Sequence, residues 1–186
     1  MIFIFTAIII TLSFVHIDQF DFQRWEVWVW FLLYIILPIN AGYHLWLYRN
    51  WPPADATPLA GSSRTLLFAQ AILLGLYGLT LILIPSIAKM IWSWEIDNFH
   101  AQLYSVTFIT PALGAYILTK GASKLEWQTL GFAQISLGLL PVIGVLIVDA
   151  STKRVAWSTA GTWTWLTIFT AMLIVGIWMM NESRKK

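Results

Sequence analysis

Cysteine is absent from the 186 residues. That removes disulfides, thiolate nucleophiles and cysteine-ligated metal or iron–sulfur sites, and it leaves the redox compartment unreadable from the sequence. Charge is scarce too. Asp, Glu, Lys and Arg make up 11% of the chain against 59% hydrophobic residues, far from the soluble norm of about 25% charged and about 45–50% apolar. The formal net charge of +2 is too small to point to nucleic acid. No Asp or Glu falls in the middle of an apolar run, which argues against a carboxylate proton relay or an ion-coupled pump. The sequence also lacks G-x-S-x-G, a Gly-rich phosphate loop, H-x-x-x-H and H-E-x-x-H, so neither nucleophilic catalysis nor a spaced metal site has a candidate constellation. The expectation is a non-catalytic protein.

Long apolar runs are what the chain does have. Mean hydropathy is +0.73, and a membrane span needs about 20 mostly apolar residues. The runs predict an all-α integral membrane protein, a bundle of six transmembrane helices built from three helical hairpins in one domain covering residues 1–186. Its spans are expected at about 1–17, 27–48, 65–85, 101–119, 127–148 and 163–180. The first would reach only roughly 25 Å at 1.5 Å per residue, and the absence of an A-x-A pattern behind it argues against a removable signal peptide. Pro38 inside the second span predicts a kink. Arg49, Trp51, Pro52, Pro53, Asp55, Pro58, Gly61 and Ser62 form the only long loop, with Ser62 or Ser63 as the expected N-cap of the third helix. Lys120, Gly121, Lys124 and Glu126 read as a tight turn. Gly131, Gly138, Pro141 and Gly144 in the fifth span are expected to permit close approach of another helix.

These spans put Arg49, Arg64, Lys120, Lys124, Arg184, Lys185 and Lys186 on one side and Arg24, Lys89, Lys153 and Arg154 on the other. The positive-inside rule then predicts both termini in the cytoplasm. Asp18, Asp21, Glu26, Glu95, Asp97 and Asp149 all fall on the outer side. The 12 Trp residues are the compositional anomaly, and interfacial belts account for many of them.

Two stretches share an order. Ile17-Asp18-Gln19-Phe20 precedes a helix with Pro38 and Tyr43, and Ile96-Asp97-Asn98-Phe99 precedes a helix with Pro111 and Tyr116. The spacing from loop to Pro differs by six residues, so the internal repeat is a candidate duplication with an insertion in one copy. The later stretch has an aromatic pair (Trp92, Trp94), an acidic turn, then Pro111, Gly114, Ala115 and Tyr116. It resembles a pattern in uncharacterised bacterial multi-pass membrane proteins, in which Trp-Pro-Trp stands before the helix; here Ser93 replaces the Pro. The resemblance covers about a quarter of the chain and implies a bacterial origin but no activity.

Candidate sites are few. His44 and Asn40 lie one turn apart on one face of the second span, and Gln70 and Gln134 fall in the inner halves of the third and fifth. Together they could line a small polar pocket or, through the His44 imidazole, hold a tetrapyrrole metal; ordinary interhelical hydrogen bonding is the alternative. His16 and His100 lie at outer helix ends near Asp18 and Asp97, where a metal and simple hydrated capping are both open. The outer loops, with Trp92, Trp94, Asp97, His100, Asp18 and Trp25, are the expected partner-binding face. Two functions follow. The first is an accessory or assembly subunit of a larger membrane complex, contacting lipids and other integral membrane subunits. The second is a binder or carrier of a hydrophobic small molecule such as a quinone, carotenoid, chlorophyll or haem.

Overall fold

The computed structural model describes residues 1–50 and 61–185; the expected loop from Trp51 to Pro58, and Lys186, lie outside the described residues. Among the described residues there is no strand. The helices are α1 (Ile2–Val15), α2 (Trp25–Leu47), α3 (Gly61–Leu83), the short α4 (Pro85–Ala88), α5 (Asn98–Tyr104), α6 (Val106–Leu118), α7 (Lys124–Thr152) and α8 (Ala160–Lys185). Among the described residues five stretches are long and apolar enough to cross a membrane: α2, α3, the α5–α6 pair taken as Asn98–Leu118, α7, and α8 over Ala160–Ser183. The protein therefore has the architecture of a multi-pass membrane protein. α1 has 14 residues, about 21 Å at 1.5 Å per residue, against a hydrocarbon core of about 30 Å. It is shorter than the span expected at 1–17 because Ile17–Gln19 turns off into a 3-10 segment.

Helix ends follow local chemistry. Ser123 opens α7 with a reciprocal capping box: the Glu126 N–H donates to Ser123 Oγ at 3.3 Å, and the Ser123 N–H donates to Glu126 Oε2 at 2.8 Å. α7 closes on Lys153, which is left-handed at φ 52°. The Asp149 carboxylate holds the turn beyond, accepting from the Val155 N–H at 3.0 Å and from Trp157 Nε1 at 2.6 Å. Asp149 thus belongs to the last turn of α7, one turn earlier than a loop position. α3 already runs at Gly61, so Ser62 and Ser63 sit in its first turn and neither is the cap. Pro85, which has no N–H to donate, ends α3 and starts α4.

Three pairings dominate: α7 with α8, α3 with α6, and α1 with α2. Glycines mark the closest crossings. A Cβ on Gly138 would meet Leu173 N at 2.5 Å and Phe169 O at 2.6 Å, and one on Gly176 would meet Gly131 O at 2.7 Å. Gly131 and Gly138 therefore do admit α8 as expected. Gly144 does not, since a Cβ there meets nothing within 4 Å; it faces space.

The three connections on the acidic side converge. Phe20 packs edge-on to Phe99 at 5.5 Å, and His16 Nε2 bonds Gln102 Oε1 at 2.5 Å. Gln102 Nε2 in turn donates to the Ile82 carbonyl at 2.8 Å, satisfying an acceptor at the end of α3. The Ala156 N–H donates to Ser93 O at 3.0 Å, and Gly161 lets α8 start against the backbone of Met90 and Ile91. Beneath lies an aromatic core of Trp92, Phe108, Trp165 and Phe169; a second core of Leu67, Ala115, Leu118, Trp127, Leu130 and Met179 occupies the other end. α2 stands apart. Only Phe31 is buried in it, and 6% of its apolar window is covered by protein.

Candidate binding site

Since α7 binds α8 and α6 binds α3, the seam between α6 and α7 is comparatively sparse. A partly enclosed cavity of about 490 Å³ lies at its acidic end, between α7, the α5–α6 junction at Tyr104 and Thr107, and the start of α8, within the roughly 300–1,000 Å³ typical of small-molecule sites. One wall is a single face of α7, made by Leu137, Pro141, Gly144, Val145, Val148 and Thr152. These positions recur at the three- and four-residue spacing of one helical face, and at 1.5 Å per residue they extend for about 22 Å. Gly144 contributes the missing volume, and Pro141, which cannot donate to the carbonyl of Leu137, is the point where α7 can bend away.

The other walls are aromatic. Trp92 stacks flat on Tyr104, with centroids 4.9 Å apart and planes 5° apart. Trp94 meets Trp92 edge-on at 5.5 Å and Trp165 at 5.8 Å, and Trp165 packs on Phe169 at 4.3 Å. Edge-to-face rings of this kind are worth about 0.5–1.5 kcal/mol per pair beyond area burial, so the wall is rigid. The indole Nε1 atoms of Trp92 and Trp165 are buried without a hydrogen-bond partner. In such a cluster an indole N–H can rest on a neighbouring π face, a weaker contact than a hydrogen bond to oxygen.

A second hollow of about 660 Å³ lies beside the first and shares Trp94 and Arg154 with it; its remaining lining is Lys89, Glu95, Ile96 and Asp97. The site therefore has an apolar, aromatic body and a charged vestibule. Asp97 is the N-cap of α5, accepting from the His100 N–H at 2.7 Å and bonding its ring Nδ1 at 2.8 and 2.9 Å. Partial burial pushes the Asp97 carboxyl up. The His100 backbone and ring hydrogen bonds, the His100 charge and the Lys89 charge outweigh this and hold it below the usual carboxylate range. The side chains of Lys89, Glu95 and Arg154 make no ion pair among the described residues.

No family model, curated protein or solved structure matches the chain. The geometry of the site therefore carries the functional argument alone.

The residues singled out from the sequence divide among several places. Gln134 is fully buried and donates through Nε2 to Gln70 Oε1 at 3.2 Å, while Gln70 Nε2 and Gln134 Oε1 stay unpaired. His44 and Asn40 lie elsewhere, lining an open hollow of about 670 Å³ with Met1, Phe3 and Arg49 beside the start of α1. The four do not form one polar pocket, because α2 packs against α1 and has no comparable contact with α3 or α7. His44 stacks on Tyr48 at 5.9 Å.

At the acidic end Trp94, Asp97 and Trp92 are brought together at the two hollows. Trp92 is buried and forms part of the chamber wall. Asp18, Trp25 and His100 are exposed. His16 and His100 are drawn to Gln102 and Asp97 respectively, and no metal-binding cluster forms among the described residues. Sequence reasoning missed Trp165, Tyr104, Val145 and Arg154 as site residues and Gln102 as the tie between α1, α3 and α5. Trp163-x-Trp165 was visible, but belt enrichment explains such a pair equally well.

Proposed function

We propose that this protein is an integral-membrane binder or carrier of an elongated hydrophobic molecule with one polar end, held in the cavity between α7, the start of α8 and the Trp92–Trp94 loop. The observation that carries this reading is the adjacency of a 490 Å³ apolar cavity to a charged hollow that shares Trp94 and Arg154 with it. An apolar tail would lie along the 22 Å face of α7 against Trp165 and Phe169, and a polar group would reach the vestibule. Quinones, carotenoids with polar ends and lipids have that form. A haem or chlorophyll ligated by His44 fits less well, since His44 lines a different hollow. Gly144 supplies the test. Replacing it with Leu fills the chamber without a clash at Cβ, so Gly144→Leu should purify with several-fold less bound lipid-like material by extraction and mass spectrometry. Equal retention would refute the reading.

A second reading, an accessory or assembly subunit of a larger membrane complex, is favoured by α2. Its exposed Trp25, Trp28, Tyr43 and Trp46 surround a helix that, among the described residues, packs chiefly against α1, and such rings are common interface anchors. A photo-crosslinker at Leu32 or Ile39 should capture a second membrane protein in native membranes; adducts to lipid alone would reject it. In either reading α1 serves as a shortened sixth crossing sheltered by α2 and α6, and the Lys and Arg distribution favours both termini on the cytoplasmic side. The contact between Phe20 and Phe99, equivalent residues of the two Ile-Asp-x-Phe stretches, favours a duplicated origin.

A further inference from the structure

The vestibule permits a statement about which polar end the chamber takes, resting on the ligand-binding reading above. Lys89 and Arg154 contribute two positive charges, and Glu95 and Asp97 two negative charges, to one hollow. None of the four pairs with another within 4 Å. Asp97 is engaged by His100, but Glu95, Lys89 and Arg154 make no ion pair among the described residues, so both signs remain available to a ligand. Trp94 stands between the hollow and the chamber with its ring half-buried, a position where its π face can meet a cation.

A headgroup of net negative charge would find Arg154 and Lys89 but would also meet the repulsion of Glu95 and Asp97. An uncharged headgroup would leave both pairs unused. A group carrying a phosphate and an ammonium a few bonds apart answers both: the planar Arg154 fork and the Lys89 ammonium suit phosphate oxygens, while Glu95 and the Trp94 ring suit the ammonium. We infer that the ligand is a zwitterionic phospholipid, with its phosphate at Arg154 and Lys89, its ammonium at Glu95 and Trp94, and one acyl chain in the cavity along α7.

The test uses the full chain, delipidated in detergent and offered equal amounts of phosphatidylethanolamine, phosphatidylglycerol, diacylglycerol and ubiquinone, with bound species read by native mass spectrometry. Phosphatidylethanolamine should be retained about tenfold over phosphatidylglycerol and diacylglycerol, a margin of about 1.4 kcal/mol. Arg154→Gln should erase its advantage over diacylglycerol, and Glu95→Gln should move preference toward phosphatidylglycerol; both side chains are exposed, so neither change threatens folding. Equal binding of all lipids that Gly144→Leu abolishes would overturn the headgroup assignment and leave the chamber reading standing, as would a preference for ubiquinone. Binding of no lipid by folded protein would overturn both. Water-soluble glycerophosphoethanolamine should not compete at equal concentration; if it did, the site would be one for a free headgroup and the assignment to a membrane lipid would fail.

Discussion

The contrast between Gly138 and Gly144, two glycines on one helix, gives a sharp test of the packing. A Cβ at Gly138 would lie 2.5, 2.6 and 2.8 Å from Leu173 N, Phe169 O and Leu173 Cα. All three are backbone atoms of α8, so no side chain can swing away. Restoring an ordinary contact of about 3.4 Å means separating α7 and α8 by roughly 0.9 Å at the crossing, enough to forfeit about a quarter to a half of the dispersion energy of the contacts there. Overpacking costs about 1–3 kcal/mol, and a clash with backbone belongs at the upper end. Gly138→Ala should therefore destabilise by about 3 kcal/mol, more than a hundredfold in the unfolding equilibrium. Gly144→Ala, with nothing within 4 Å, should be neutral, or gain up to about 1 kcal/mol from helix propensity. Denaturant titration in mixed micelles, followed by Trp fluorescence, measures the difference. Equal stabilities for the two variants would refute the close α7–α8 crossing and the open space beside Gly144 together.

Two further outcomes follow from polar groups. Gln70→Leu and Gln134→Leu should each cost about 1 kcal/mol by removing the amide–amide bond, which leaves Gln134 with only its weak contact to Met179 Sδ or Gln70 with no partner among the described residues, whereas the double variant should be near neutral, since removing both partners removes the penalty; a double-mutant cycle with additive losses would contradict this. Asp97→Ala should cost about 1 kcal/mol through the lost N-cap, and Asp97→Asn much less, read as faster hydrogen exchange of the α5 amides. The Asp97 carboxyl is held below its usual range, so the stability it adds is full above about pH 4, the unfolded value, and is lost as pH falls through the lower folded value. Exchange in α5 of the native protein should quicken below that pH, and in Asp97→Asn it should lack this step.

Much of the architecture was legible because it rests on hydropathy over long windows. The apolar runs placed α2, α3, α7 and α8 within a few residues of where they lie, and the convergence of three outer connections followed from hairpin order. What was illegible depends on which helices pair. Gln70 and Gln134 were grouped with Asn40 and His44 by depth alone, and depth cannot say that α2, among the described residues, packs chiefly against α1. The same holds for Gly144: Gly131, Gly138 and Gly144 look alike in sequence, yet the first two touch α8 and the third opens a chamber, because the seven-residue step from Gly131 to Gly138 keeps one face and the next step of six turns away from it. Ser123-x-x-Glu126, in contrast, was a readable cap passed over as part of a turn.

The chamber is the central claim, and labelling it from within tests it most directly. A phospholipid carrying a photoreactive group at the end of one acyl chain, bound to the purified full chain and irradiated, should mark the buried face of α7 from Leu137 to Val145 or Phe169 facing it, with labelling lost in Gly144→Leu. Labelling confined to the outward surfaces of α2 and α3, at residues such as Leu32, Ile39 and Leu73, and unchanged in that variant, would show ordinary annular lipid and contradict the account.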